Sequence, residues 1–293
     1  MPEPAKSVVR LENVCKEFQL GEETVHAVRD VSFDIEEKVF LAIAGPSGSG
    51  KSTLLNLIGC IDTPTSGHVI IDGNDVSGKT PDELADLRSR QISFIFQTFN
   101  LFPVLTAEEN VEYPLLQRSD VSKAERQERV AFFLNTVGLS KFAKHRPNQL
   151  SGGQRQRVAI ARALATQPRI VLADEPTANL DHKTGESILS MMRAINQAFE
   201  TTFVFSTHDQ RIMDMADRLV RVSDGEITAL GTKIGERWTF ARAKVDAKGA
   251  ADLQMMADDP DLQDILDDPV LRDLILEDAS LRRALLGDQG QSK

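Results

Sequence analysis

Residues 45–52, Gly45-Pro46-Ser47-Gly48-Ser49-Gly50-Lys51-Ser52, fit the pattern G-x-x-x-x-G-K-[ST]. They stand between an apolar run, Val39 to Ala44, and a helix-like stretch, Thr53 to Ile58. Glycines let the backbone N–H groups from Gly48 to Thr53 turn inward around phosphate oxygens, and the start of a helix adds partial positive charge. Lys51 supplies a point charge for a β/γ-phosphate pair, and the Ser52 hydroxyl suits Mg²⁺. A glycine turn alone carries little weight. The strand before it and the helix after it give it meaning.

Two adjacent carboxylates, Asp174 and Glu175, close a second apolar run, Ile170 to Ala173. A strand ending in acids is a common feature. Beside a phosphate loop it acquires a role: Asp174 to hold Mg²⁺, directly or through water, and Glu175 to orient and deprotonate an attacking water. A third segment, Leu150-Ser151-Gly152-Gly153-Gln154, opens a basic helix from Arg155 to Ala165. Small residues at a helix N-terminus make a second phosphate-sized site. One nucleotide does not need two such sites from a single subunit.

At these residues the chain resembles the ABC ATPase family, whose signature is the Ser151–Gln154 segment, over a span from about Val8 to Leu230. The resemblance implies a P-loop NTPase fold of the ABC cassette type, α/β with an antiparallel edge sheet, and ATP with Mg²⁺ as ligands. It implies a head-to-tail homodimer, with each ATP between one subunit's Gly45–Thr53 loop and the other's Ser151, Gly152, Gly153 and Gln154. The remaining family positions follow in order. Phe18 matches the aromatic that stacks on adenine, a contact of about 1–3 kcal/mol; its other reading is an ordinary edge-strand residue. Gln97, in Phe94-Ile95-Phe96-Gln97, matches the glutamine that senses Mg²⁺ and the attacking water. Asp181, in Ala178-Asn179-Leu180-Asp181, matches the aspartate that reaches across the dimer. His208, in Ser206-Thr207-His208-Asp209, matches the histidine that contacts the γ-phosphate.

Further stretches, among them Leu105-Thr106-Ala107-Glu108-Glu109-Asn110-Val111 and Arg146-Pro147-Asn148-Gln149-Leu150, resemble the lipoprotein-releasing and macrolide-exporting subgroup and ATPases that act with cell-division permeases. That implies an integral membrane permease as partner, and force transmitted across the membrane rather than cargo passed through a channel. A second reading stays open, a cassette that signals through a permease-like partner to a periplasmic or cell-wall enzyme without moving cargo. Translation factors of the family carry two cassettes, and its DNA-maintenance members insert long coiled coils. Here only 100 positions separate Lys51 from Ser151, without sustained heptads.

The elements that must position these groups are legible in outline. Short alternating runs before residue 40 suggest an antiparallel sheet, and the apolar runs at 39–44, 170–173 and 202–206 suggest strands buried on both faces. Helical patterns between them predict a parallel α/β core. From about residue 98 to 150 no strand signal occurs, and charged stretches such as Ser122 to Leu134 predict an inserted helical subdomain. The cassette is expected to end at 230, with a linker over 231–251 and an acidic Asp-Pro helical repeat segment over 252–288. That repeat begins Asp259-Pro260-Asp261-Leu262 and Asp268-Pro269-Val270-Leu271, an N-cap followed by a first helical position. It is similar to the Asp-Pro repeats of co-chaperones; a short acidic helical cap is the other reading.

The net charge of the chain is −10, which argues against a nucleic-acid partner, because phosphate backbones demand a basic footprint. Residues 250–293 hold 11 acidic and 4 basic side chains, so −7 of that charge sits in the tail. No signal peptide or spanning segment is legible, and Cys15 and Cys60 form no disulfide or metal-ligand pattern. A cytoplasmic protein is expected, on the inner face of the cell membrane and touching it only through the permease.

Overall fold

Residues 40–44 are all buried, and so are 170–173 and 202–207, because each strand has a packed layer on both sides. The computed structural model describes residues 6–241, apart from 22, 81 and 236. In chain order the elements are β1 (Ser7–Leu20), β2 (Glu23–Glu36), β3 (Phe40–Ala44), α1 (Lys51–Ile58), β4 (Ser66–Ile71), β5 (Asn74–Asp75), α2 (Ala85–Gln91) and β6 (Ile92–Ile95). There follow α3 (Ala107–Glu112), α4 (Lys123–Thr136), α5 (Gly152–Ala165), β7 (Ile170–Asp174), α6 (His182–Phe199), β8 (Thr202–Thr207), α7 (Gln210–Met215), β9 (Arg218–Ser223), β10 (Glu226–Ile234) and β11 (Arg237–Ala241).

The strands make two sheets. One has four strands in the order β2-β1-β4-β5; the other has seven in the order β11-β10-β9-β3-β8-β7-β6. In the larger sheet β6, β7, β8, β3 and β9 run parallel, and β10 and β11 add an antiparallel margin. Side chains alternate across a strand, so each parallel strand feeds two layers. Leu41, Ile43, Leu172 and Val204 join Leu54, Leu55 and Ile58 of α1 and Val9, Leu11 and Ile35 of the four-stranded sheet. Phe40, Ala42, Val171, Phe203 and Phe205 join Val158 and Ala161 of α5, Ile188 and Met192 of α6, and Phe133 of α4. Each fully buried aliphatic or phenyl side chain contributes about 1.5–3 kcal/mol. The C-terminal ends of the parallel strands are therefore the rim of a core packed on both faces.

Between residues 98 and 150 the chain is helical or irregular. Thr106 and Glu109 cap α3 reciprocally, and Ser122 caps α4 by accepting from the Glu125 N–H. The fully buried Asn110 amide accepts from Phe102 N and donates to the carbonyls of Phe102, Leu105 and Thr106, which fixes the loop that enters α3.

The boundary expected at residue 230 is corrected. β10 continues to Ile234 and β11 pairs with it from Leu230↔Ala241 to Ile234↔Arg237, so 231–241 belongs to the sheet and not to a linker. Trp238 and Phe240 are half-buried against the core cluster that contains Leu219 of β9, and Ala241 is buried. Gly231 has the look of a linker residue in the sequence; a Cβ there would lie 2.7 Å from Phe240 Cε1, so the glycine makes room for a ring. The expected linker beyond 241 and the acidic repeats of 252–288 lie outside the described residues.

Candidate active site

Ala44 ends β3 at the rim of the sheet, and the chain turns through residues 45–50 before α1 begins. Two glycines are required there by close approach. A Cβ on Gly45 would sit 2.0 Å from Val222 O; one on Gly50, whose φ is 97°, would sit 2.3 Å from Ala27 O. α1 has no side-chain cap, so its first N–H groups face the loop. Lys51 is 7% exposed, and its ammonium donates to Gly45 O at 2.9 Å and Pro46 O at 2.8 Å. A buried ammonium whose partners are neutral carbonyls in a ring of N–H donors is a fit for polyphosphate.

A cavity of about 320 Å³ opens here. Its walls include Gly48, Gly50, Lys51, Ser52 and Thr53 from the loop, Val25 to Ala27 from β2, and Asp224 and Gly225 from the β9–β10 turn. Gly45, Ser47 and Ser49 do not line it; Ser49 is buried behind, its carbonyl accepting from Gly225 N. Phe18 is 38% exposed and does not line the cavity, but it pairs across the hairpin with Val25, which does; the Lys16 ammonium lies 5.0 Å from its ring centre.

The Ser52 hydroxyl donates to Asp174 Oδ1 at 3.1 Å, bringing the loop and the end of β7 together. The same oxygen accepts from Ser206 Oγ at 2.5 Å. Ser206 is the register partner of Asp174 on β8, and it aims the carboxylate. A hydroxyl and one carboxylate are a sparse set of hard oxygens, which suits Mg²⁺, an ion that keeps waters and substrate phosphates in its shell. Among the described residues no larger cluster of acidic, histidine or cysteine side chains could form a protein-only cage. Gln97 is exposed and its side chain makes no hydrogen bond among the described residues, while its carbonyl accepts from Asn179 Nδ2 at 2.9 Å.

Glu175 takes φ 47°, a left-handed conformation disfavoured for a residue with a Cβ. Its N–H donates to Ser206 O at 3.0 Å, and its Oε1 lies 2.7 Å from His208 Nδ1. A carboxylate and an imidazole thus meet beside the Ser52–Asp174 pair, an arrangement able to take a proton from water and to contact a phosphate.

Ser151 and Gln154 cap α5 reciprocally. Asp181 caps α6, accepting from Thr184 N at 3.0 Å, and the Thr184 hydroxyl and N–H hold its carboxyl below the usual range. A Cβ on Gly153 would meet Thr184 Cγ2 at 2.5 Å, so these two helix starts form one patch. Ser151, Gly152, Gly153, Gln154 and Asp181 do not line the cavity around Lys51.

Three positioning groups are not assigned by the sequence. Ser206 is legible only through the β7–β8 register. Asn179 lies within the Ala178–Asp181 segment, where nothing local gives it a separate role. Asp209 accepts from Thr177 Oγ1 and from the Arg211 guanidinium, which holds its carboxyl below the usual range.

Residues 28–178 match the family model described as ABC transporter. The ABC transporter ATP-binding protein MJ0796 of Methanocaldococcus jannaschii, itself described as uncharacterized, is 48% identical over 75% of this chain and 95% of its own length. The macrolide export ATP-binding/permease protein MacB of Brucella melitensis is 47% identical over 77% of this chain, which spans 35% of that protein. Among solved structures, a dimeric post-hydrolysis state of the MJ0796 cassette bound to ADP and Pi superposes with a TM-score of 0.72 at 47% identity, covering 78% of this chain and 99% of that one. No helix of the described residues is long and apolar enough to cross a membrane.

Proposed function

The chain belongs to the ABC transporter family of ATPases, and from that premise we propose that two copies close head to tail on ATP, hydrolyse it with the residues around Lys51 and Glu175, and drive a membrane permease. The observation that carries this is the split between two anion-ready helix starts. Lys51 and its loop line a cavity, and the Ser151–Gly153 segment, the second small-residue helix start, does not line it. A second copy turned about a two-fold axis supplies the missing wall, a closed arrangement in which the same patch serves both sites.

Within one site, Lys51 and the N–H groups of residues 48–53 hold the β- and γ-phosphates, and Phe18 offers its ring to the base. Ser52 and Asp174, with Gln97 reaching from its loop, hold Mg²⁺, which when bound neutralises charge on the β- and γ-oxygens. Glu175 takes the proton of the attacking water; His208 orients that carboxylate and meets the γ-phosphate. Ser151, Gly152, Gly153 and Gln154 of the second copy close over the same phosphate, and Asp181 lies beside them at the dimer junction.

The permease contact falls on the helical insertion. Phe102, Val104, Tyr113 and Leu116 are 40%, 72%, 40% and 54% exposed, and the Phe102 and Tyr113 rings lie 4.5 Å apart. Exposed apolar clusters of this kind mark interaction sites. The likeness to a macrolide export ATP-binding/permease protein supports a permease partner and export of a macrolide type of cargo; force transmission and a lipoprotein or lipid cargo rest on the motif resemblance alone. The test is hydrolysis of ATP by the purified chain with Mg²⁺, together with co-purification of a permease. Val104→Asp is expected to lose the permease and keep basal hydrolysis. Capture of the permease unchanged by Val104→Asp overturns this docking face, and a wild-type chain inert toward ATP overturns the rest.

A further inference from the structure

Phe99 and Asn100 follow Gln97 by two and three positions, and both take left-handed φ, 63° and 48°. Two consecutive non-glycine residues in that region hold only if their surroundings impose it. The restraint comes from α5. Arg162 Nη1 donates to Asn100 O at 2.6 Å, and Nη2 donates to Phe99 O at 3.0 Å. Nearer the start of the same helix, the Arg155 guanidinium lies 5.2 Å from the centre of the Phe99 ring. Arg162 makes no ion pair among the described residues, so these carbonyls are what offsets a partly buried charge. Burial also draws its pKa below the ordinary guanidinium value.

We propose that Arg162 is a positioning residue for hydrolysis: its guanidinium fixes the loop tip at Phe99–Asn100 and so sets where Gln97 stands relative to the Ser52–Asp174 pair. This rests on the roles proposed for Gln97 and Ser151. The loop is tied at two points, at Gln97 O by Asn179 and at its tip by α5. α5 begins at the segment proposed to close on the other copy's ATP, and the same loop leads within a few residues to Phe102 and Val104. A shift of α5 therefore carries the loop tip with it, and Gln97 and the permease face move together. A lysine cannot serve, since one ammonium does not present the planar fork that spans two carbonyls.

The test uses the full chain with ATP and Mg²⁺. Arg162→Lys is expected to lower kcat about tenfold with KM for ATP within about twofold, the pattern of a lost positioning contact rather than lost binding. Phe99→Ala, which leaves the guanidinium and both carbonyls in place, is expected to lower kcat in the same direction and provides a second reading if Arg162→Lys folds poorly. The deciding measurement is a double-mutant cycle. If Arg162 acts through Gln97, adding Arg162→Lys to Gln97→Ala costs nothing further in kcat. Losses that multiply, or wild-type kcat in folded Arg162→Lys, overturn the proposal. An inert wild-type protein instead overturns the ATPase reading itself, so the two failures are distinguishable.

Discussion

His208 Nδ1 stands 2.7 Å from Glu175 Oε1, with the imidazole 70% exposed and the carboxylate only 17%. The histidine thus covers one oxygen of a sheltered carboxylate and is itself the outer surface of the site. Glu175 is aimed by its left-handed backbone and by the hydrogen bond from its N–H to Ser206 O.

Glu175→Gln keeps the shape of this pair and removes the proposed base. Turnover is expected to fall by about 10²–10⁴-fold, the usual contribution of a general base, while ATP binding persists. Single-turnover hydrolysis and size-exclusion chromatography with ATP check it; the variant should accumulate as a closed dimer. Turnover at the wild-type rate would take Glu175 out of this role.

The split between the Lys51 cavity and the Ser151 patch is tested by mixing. A Lys51→Ala subunit paired with a Ser151→Arg subunit makes one intact and one doubly damaged composite site. Hydrolysis in the mixture above that of either variant alone is expected. Verified heterodimers that recover nothing would count against composite sites or show that both sites must fire together.

Asp209 gives a pH prediction with a definite sign. Its folded pKa is lowered, first by the Arg211 side chain, so its stabilisation is present above the unfolded carboxylate value and fades as pH falls through the folded one. Arg211→Met is expected to lower Tm at neutral pH by about 2–4 °C, the shift that about 1 kcal/mol produces in a domain of this size. Below about pH 4 the difference between variant and wild type should shrink. A difference constant from pH 7 to pH 3 would show that packing, not charge, holds this corner.

Truncation separates the sheet from the acidic tail. A chain ending at Ala241 keeps every described element and should hydrolyse ATP like the full-length protein. A chain ending at Leu230 loses β11 and part of β10, with Trp238 and Phe240 stripped from the edge of the core. Both rings are half-buried, so each contributes a fraction of the about 3–5 kcal/mol of a fully buried aromatic, and thermal denaturation should show this shorter form less stable. Equal Tm values for the two truncations would restore the boundary expected at 230.

The pattern of what is legible in the sequence comes from how local each signal is. The phosphate loop, the Asp174–Glu175 pair and the Ser151 helix start are each contiguous in the chain, and their chemistry is readable from a few neighbouring residues. The buried strands are readable because both faces are covered, leaving runs without polar interruption at 40–44 and 170–173. Ser206 and Arg162 are not. Their roles depend on which strand lies beside β7 and on which loop lies across α5, contacts 32 and 62 positions apart in sequence. Gly231 misleads because the residue that requires it, Phe240, arrives only after the hairpin turns.

β3, β8 and β7 are adjacent and parallel, and Ala44, Thr207 and Asp174 stand at their ends. Neighbouring strands are about 4.8 Å apart. The sheet therefore acts as a ruler: the Gly45–Ser52 loop, His208 and the Asp174–Glu175 pair are mounted at fixed intervals along it. The helical insertion hangs from that ruler through the segment that begins at Gln97 and returns through α5. Changes in α3, α4 and their loops can refit the outer face, the one proposed to meet a permease, while the intervals between the groups on the sheet stay as they are. The candidate site and the proposed docking face are thus held in separate materials, one a rigid lattice of backbone hydrogen bonds and the other a set of side chains on short helices and loops.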